Sequence, residues 1–252
     1  MQASIVLTVA QGKRLIAKAV TQVPAVRHAL QHGTLAIGRG TTNGYVAEEI
    51  LNVKISKGEY VAGRTLPPGV APARLGTGQY PDIVIKHGQR VEGMTIAQAV
   101  EGMEPGDVLI KGGNALNYAQ QTVGVLIGHP CGGTTGDNYG TVISRKIHLI
   151  IPIGLEKVVY EDIDELSRAS RQLPVHPSVS APALFPITGT IITEIEALAL
   201  LFGVTARLYA AGGVAGAEGA IWLLLEGSEA ALDAALDLHE RLTREPNIEL
   251  AP

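Results

Sequence analysis

Three glycine-rich segments hold the side chains best suited to chemistry in this sequence. They are GRGTTN from Gly38 to Asn43, KGGN from Lys111 to Asn114, and GHPCGGTTGD from Gly128 to Asp137. Successive glycines leave backbone N–H groups free to approach an anion, and a helix start or a nearby positive charge strengthens its binding. Each segment is therefore a candidate binding site for a phosphate or a carboxylate.

The predicted ligand-binding residues all come from these segments. They are Gly38, Arg39, Gly40, Thr41, Thr42, Asn43, Gly112, Gly113, Asn114, Gly132, Gly133, Thr134 and Thr135. In the third segment we expect an anion to be bound by the N–H groups of Gly132, Gly133 and Thr134 and by the hydroxyl of Thr135. A plain turn between a strand and a helix is the alternative interpretation of each segment, because glycine is the usual turn residue.

Three residues are predicted to act in catalysis: Lys111, His129 and Cys131. Histidine has the intrinsic pKa best suited to acid–base chemistry near neutral pH. Cys131 precedes a predicted helix, and a thiol beside a helix N-terminus is a candidate nucleophile. The alternative for Cys131 is a compact packing group, and Asp137 is predicted to be the N-cap of the helix.

Each glycine-rich segment follows a short apolar run: TLAIG (34–38), GDVLIKGG (106–113) and TVGVLIG (122–128). Further apolar runs, SIVLTVA (4–10), PDIVIKHG (81–88) and IHLIIPIG (147–154), alternate with amphipathic helices, which predicts a doubly wound, mainly parallel α/β domain over residues 1–172. The carboxyl ends of parallel strands share one edge, so we expect Gly40, Lys111 and Gly133 to border a single cleft.

The C-terminal part has a different order of elements. GTIITE, VTARLYAAGG, GAIWLLLEG and NIEL have the pattern of strands, and two helical segments lie between them. This βαββαβ order predicts a ferredoxin-like α+β domain over residues 187–252, with a four-stranded antiparallel sheet. The proline-rich stretch 173–186 is the predicted linker between the two domains.

Composition excludes several classes of protein. The net charge is -4 and no cluster of Lys and Arg is present, which argues against a nucleic-acid partner. The single cysteine excludes a disulfide framework and a cysteine-based zinc site, and we expect neither a metal nor a cofactor. The apolar stretches are too short to cross a membrane and no leader pattern is present, so we expect a cytoplasmic protein without membrane contact.

Two segments resemble parts of ribose-5-phosphate isomerases. GTLAIGRGTTNGYVAEEIL (33–51) resembles the strand, glycine loop and helix that hold their sugar phosphate, and PGDVLIKGGNAL (105–116) resembles their Lys-Gly-Gly segment. The isomerases share one α/β scaffold with DeoR-type sugar-phosphate sensors and CoA transferases, and they also contain a small ferredoxin-like unit. The resemblance covers about residues 31–155. It implies that Gly38, Gly40, Thr41 and Thr42 bind phosphate, and that Lys111, Gly112 and Gly113 line the reacting end.

The sequence departs from that family at its catalytic carboxylates. The Asp-Gly-Ala-Asp-Glu segment of the isomerases has no counterpart, and Gln120 stands where their catalytic glutamate follows the lysine. An amide cannot accept a proton as that glutamate does. Two functions stay open: an enzyme acting on a small phosphorylated or carboxylated metabolite on an isomerase-like scaffold, or a non-catalytic sensor of such a metabolite. In both cases the predicted partner is a small anionic metabolite, and a homo-oligomer is left open.

Overall fold

A computed structural model describes residues 1–63, 65–66, 80–173, 175–176 and 181–248. The strands are β1 Gln2–Leu7, β2 Thr34–Ile37, β3 Ile83–Lys86, β4 Gln89–Arg90, β5 Val108–Ile110, β6 Ala115–Asn117, β7 Thr122–Ile127, β8 His148–Pro152, β9 Ala183–Ile187, β10 Thr190–Ile192, β11 Thr205–Ala211 and β12 Ile221–Glu226. The helices are α1 Val9–Val20, α2 Pro24–His32, α3 Thr41–Leu51, α4 Ile96–Gly102, α5 Gly133–Ser144, α6 Ile163–Ser170, α7 Glu194–Phe202 and α8 Glu229–Leu242, with a 3-10 turn at Leu155–Lys157. None of the helices in these ranges is long and apolar enough to cross a membrane.

The centre of the fold is a six-stranded mixed sheet with flanking helices, in the order β10-β8-β5-β2-β3-β4. The first four strands are parallel, and β3 and β4 are antiparallel to their neighbours. All residues of β2 and β5 are buried, as expected for strands covered on both faces. The α/β class predicted from the sequence is therefore confirmed, and the sheet predicted to be mainly parallel is a mixed one, because β3 and β4 run antiparallel.

The prediction that the N-terminal strand joins the parallel sheet is wrong. β1 pairs antiparallel with β12 in a three-stranded sheet of order β1-β12-β11, with Gln2 opposite Glu226 and Leu7 opposite Ile221. From Ser4 to Leu7 the deeply buried residues alternate with less buried ones, which is typical of an antiparallel strand covered on one face. The apolar character of SIVL alone does not distinguish this pattern from a parallel strand.

Strand β7 also lies outside the parallel sheet, contrary to the prediction. It forms a third sheet with β6 and β9, and both of its neighbours are antiparallel to it. Only four residues, 118–121, connect β6 to β7, and so short a connection allows only an antiparallel hairpin. The third glycine-rich segment therefore does not follow a strand of the central sheet.

The ferredoxin-like C-terminal sheet is not formed as predicted. β11, β12, α7 and α8 are present, but β10 pairs in parallel with β8 in the central sheet, and β1 takes the place beside β12. Ile191 and Ile192 are buried, which suits a covered parallel strand. Asn247 and Ile248 of the predicted last strand are not in a strand, and the rest of that strand lies outside the described residues. Strand β9 contains the end of the predicted linker, and the domain boundaries stay a prediction.

Local capping sets the helix starts. Thr95 caps α4 in a capping box with Gln98, and Ser228 caps α8. Thr8 caps α1 in the same way with Gln11. Helix α1 is held against α3 by Arg14, which donates to Glu48 at 2.5 Å and to Glu49 at 2.9 Å. This packing matters for the site, because α1 brings Gly12 and Lys13 into the interior.

Candidate functional site

The loops after β2, β5, β8 and β10 lie side by side at the carboxyl edge of the central sheet. Backbone hydrogen bonds continue the ladder into them: Gly38 N–H donates to Ile110 O at 2.8 Å, and Lys111 N–H donates to Ile150 O at 3.0 Å. Ile153 N–H similarly donates to Ile192 O at 3.1 Å. This edge is where open α/β sheets bind their ligands.

The first loop leads into α3 and is fixed by two contacts of Tyr60. Gly40 N–H donates to Tyr60 O at 2.8 Å, and the Tyr60 hydroxyl donates to Ile37 O at 2.9 Å. At the start of the helix, Asn43 Nδ2 donates to Gly38 O at 2.7 Å, which fixes the orientation of the amide. Asn43 Oδ1 and Thr42 Oγ1 are then buried without a hydrogen-bond partner within the described part of the chain.

Lys111 lies against this loop. A Cβ atom at Gly38 would lie 3.2 Å from Lys111 Cδ and 3.8 Å from Asn43 Nδ2, so the glycine leaves room for both side chains. A Cβ at Gly112 would lie 3.7 Å from Asn43 Oδ1. The unpartnered amide oxygen therefore faces the loop after β5, beside the lysine, whose Nζ donates to Gly112 O at 3.1 Å.

Lys111 belongs to a lysine–glutamate cluster, which we define as Lys13, Lys111, Glu156, Lys157 and Glu194. Lys157 Nζ donates to Gly113 O at 2.8 Å, and Lys13 Nζ pairs with Glu156 Oε1 at 2.5 Å. Glu194 Oε2 accepts from Leu155 N–H at 2.9 Å. The 3-10 turn after β8 and the start of α7 after β10 thus supply charged groups to the edge that carries Lys111.

Desolvation and mutual charge shift the pKa values in this cluster. Burial and the charge of Lys157 lower the pKa of Lys111 to about 8. Burial and the charge of Lys13 lower the pKa of Lys157 to about 8 as well. Near neutral pH both lysines are therefore close to the point at which they can give up a proton.

The two carboxyl groups of the cluster shift in opposite directions. Burial and the charge of Glu156 raise the pKa of Glu194 to about 8. Burial opposes ionisation of Glu156 too, but the charges of Lys13 and Lys157 hold its pKa below its usual value. Glu194 therefore retains a proton near pH 7 while Glu156 is charged, a separation of pKa values typical of acid–base sites.

The sequence prediction missed Lys13, Glu156, Lys157 and Glu194. Glu156 and Lys157 follow the apolar run IHLIIP, and Glu194 follows GTII, so the rule that ligands bind at strand ends applies to them as well. The prediction applied that rule only to glycine-rich turns. Lys13 carries no such signal, because its burial depends on the packing of α1.

The third glycine-rich segment approaches Lys111 from another direction. Helix α5 begins at Gly133 with Gly132 as N-cap, so the prediction of Asp137 as N-cap is wrong: it lies inside the helix. The Gly132 N–H, predicted to bind an anion, donates instead to His129 O at 2.9 Å within the turn. Thr134 and Thr135 line, together with Lys111, a small cavity of about 10 Å³.

The other predicted site residues lie in varied surroundings. His129 and Cys131 are exposed, and Cys131 N–H donates to His129 Nδ1 at 3.3 Å. Arg39 pairs with Asp82 at 3.4 Å, and Asn114 Oδ1 accepts from Leu126 N–H at 3.0 Å. Gln120 is exposed in the turn between β6 and β7. The catalytic roles of His129, Cys131 and Lys111 stay predictions.

Comparisons of the chain with protein-family models, with curated proteins and with solved structures find no match. Across the described ranges, no group of three or more His, Cys, Asp or Glu side chains is arranged to hold a metal ion. The candidate site is accordingly defined by its geometry alone.

Proposed function

We propose that the protein is an enzyme that acts on a small phosphorylated or carboxylated metabolite at the carboxyl edge of the central sheet. One observation carries the proposal: among the described residues, Thr42 Oγ1 and Asn43 Oδ1 are buried without hydrogen-bond partners, and the Asn43 side chain lies in the loop that contacts Lys111. A buried polar group without a hydrogen bond costs stability, so its presence at a strand edge with nearby positive charge favours a ligand that completes it. The resemblance of the surrounding segments to ribose-5-phosphate isomerases supports the same class of ligand.

The two oxygen atoms indicate what the ligand carries. Asn43 Oδ1 is an acceptor only, so its partner must be a donor such as a hydroxyl group. Thr42 Oγ1 can donate to an anionic oxygen, and the N-terminus of α3 adds a favourable partial charge. We therefore expect a ligand with both hydroxyl and anionic groups, such as a sugar phosphate or a hydroxy acid.

Lys111 is the proposed catalytic residue. Its pKa of about 8 leaves part of the population as a free amine near neutral pH, which can accept a proton from the ligand. Lys157 lies behind it and contributes positive charge, while Glu194 acts as a positioning residue through Leu155 and the 3-10 turn. The cavity of about 10 Å³ that Lys111 lines is only large enough for about one water, so side chains around Lys111 must move for a ligand to bind there.

Calorimetry with a pentose phosphate, glycerate and inorganic phosphate tests the binding. We expect the two hydroxylated ligands to bind more tightly than inorganic phosphate, and Lys111→Met to weaken their binding by about tenfold or more, since a charge-assisted hydrogen bond is lost. Lys54→Met, which removes an exposed lysine, is the matched control and should bind as the wild type does. Equal binding by Lys111→Met and wild type would contradict the proposed site.

Proton exchange in deuterated water tests catalysis. If Lys111 abstracts a proton from the bound metabolite, NMR should show wild-type protein exchanging a carbon-bound proton of the ligand and Lys111→Met leaving it intact. Binding without exchange for each ligand would contradict catalysis and support the non-catalytic sensor.

A further inference from the structure

A second cavity lies at the opposite edge of the central sheet, at the amino ends of β2 and β5. Its volume is about 340 Å³, within the range of roughly 300–1,000 Å³ that small-molecule sites occupy. The titratable residues that line it are His28, His32, Lys86, His87, Glu104 and Asp107. It is more than an order of magnitude larger than the cavity beside Lys111.

A buried carboxylate builds the floor of this cavity. Asp107 Oδ1 accepts from Thr34 N–H at 2.6 Å, and its Oδ2 accepts from Glu104 N–H at 2.9 Å. Gly33, which precedes β2, leaves room for that carboxylate, because a Cβ there would collide with Asp107 Oδ1. The negative charge of Asp107 is thus already stabilised by two backbone donors.

Three histidines and one lysine form the walls. His28 and His32 are one turn apart on α2, with ring centroids 5.3 Å apart. His87 comes from the tight turn between β3 and β4, where its backbone adopts a φ of 49° and its N–H donates to Gly33 O at 2.9 Å. His87 is far from the other two histidines along the chain, so the fold alone brings the three together.

The charge of the cavity depends on whether the histidines are protonated. With neutral imidazoles, Lys86 faces two carboxylates, those of Glu104 and Asp107. With all three imidazoles protonated, four positive groups face the same two carboxylates. Protonation of the histidines therefore reverses the sign of the net charge in the cavity.

We propose that this cavity is a binding site for a small dianion of the phosphate type, such as a phosphate monoester, and that binding strengthens as the histidines become protonated. Imidazolium and ammonium donors make charge-assisted hydrogen bonds to phosphate oxygens. The volume exceeds that of a single phosphate group, so the organic part of a monoester fits beside it. This site is independent of the proposed function at the carboxyl edge.

Sulfate is the probe for the test, because its charge stays constant through the range in which histidine titrates. By calorimetry we expect sulfate to bind at least roughly tenfold more tightly at about pH 5.5 than at about pH 8, since up to three charges appear in the cavity. The double variant His28→Gln/His32→Gln should lose most of this pH dependence. His87→Asn should lose part of it, with asparagine chosen because it tolerates a left-handed backbone.

His148→Gln is the matched control, because His148 is an exposed histidine at the start of β8 that does not line the cavity. It should retain the pH dependence of the wild type. Thermal unfolding checks that each variant is folded. The proposal is overturned if sulfate affinity is the same at both pH values, or if the folded double variant binds as the wild type does.

Discussion

At Thr42, the hydroxyl that favours binding of the proposed metabolite lowers the stability of the folded protein. Its hydroxyl is buried without a partner in the described structure, and such a group costs about 1–3 kcal/mol. Valine has nearly the same shape and the same branching at Cβ. We therefore expect Thr42→Val to raise the free energy of unfolding by up to about 1–2 kcal/mol while it weakens metabolite binding.

Urea unfolding and calorimetry on the same protein sample test this expectation. Thr141→Val, at a threonine in α5, is the control and should change neither quantity appreciably. A loss of stability in Thr42→Val with binding intact would show that the hydroxyl has a structural role.

At the residue scale, the sequence directs attention to part of the candidate site. Thr42, Asn43 and Lys111 follow buried strands, so strand-end reasoning selects them, and the structure places the amide and the lysine against one glycine. Strand-end reasoning could not select Lys13, because the Lys13 side chain is buried only once α1 has packed. Nor could it show the pKa shifts, which depend on desolvation and on distances between charges.

At the element scale, α1 makes close contact with the candidate site through Gly12. A Cβ at this position would collide with Glu194 Oε1, so the helix approaches α7 only because it carries a glycine there. In an ordinary helix interior, Gly→Ala adds about 0.5–1 kcal/mol of stability. We expect Gly12→Ala to lower the free energy of unfolding instead, by roughly 1–3 kcal/mol, because the buried carboxyl group must move.

Gly140→Ala in α5 provides the comparison, because nothing lies within 4 Å of a Cβ there. Chemical denaturation should show this control gaining stability while Gly12→Ala loses it. If both variants gained stability to the same extent, the close approach of α1 to Glu194 would be wrong.

The existence of most elements could be predicted, but the partners of the strands could not. Thr95 and Ser228 mark helix starts because capping is a local interaction. The pairing of β1 with β12, and of β10 with β8, is set by contacts between distant parts of the chain. Short apolar runs such as SIVL and GTII do not specify which sheet they join.

At the scale of the whole molecule, the buried cluster predicts a minimum of stability near pH 8. Glu194 has a pKa raised from 4.5 to about 8, so the native state binds its proton more tightly and stability falls as pH rises through that range. Lys111 and Lys157 have pKa values lowered from 10.5 to about 8, so the unfolded state binds more protons and stability rises again above about pH 8.

Urea unfolding across this pH range checks the profile. Glu194→Gln should flatten the fall between pH 4.5 and about 8, and Lys111→Met should reduce the rise above about 8. A wild-type profile that rises steadily through pH 8 would contradict the burial of these groups.

Strands of the predicted C-terminal domain pair with strands of the predicted N-terminal domain, which gives a test of the domain prediction. A fragment of residues 187–252 contains β11 and β12 but lacks β1, and its β10 lacks β8. We expect this fragment alone to show no cooperative unfolding by circular dichroism, because an unpaired β12 edge leaves apolar residues exposed. Cooperative unfolding of the fragment would support the independent C-terminal domain predicted from the sequence.

The pairing of Gln2 with Glu226, 224 positions apart, also affects how the protein is made. A ribosome adds roughly 5–20 residues per second, so β1 emerges on the order of ten seconds or more before its partner strand exists. During that time its apolar face and hydrogen-bonding edge are exposed to other nascent chains. Helix α1, with Gly12 and Lys13, is likewise synthesised long before Glu194. Both the N-terminal sheet and the lysine–glutamate cluster are therefore completed only when the last quarter of the chain has been synthesised.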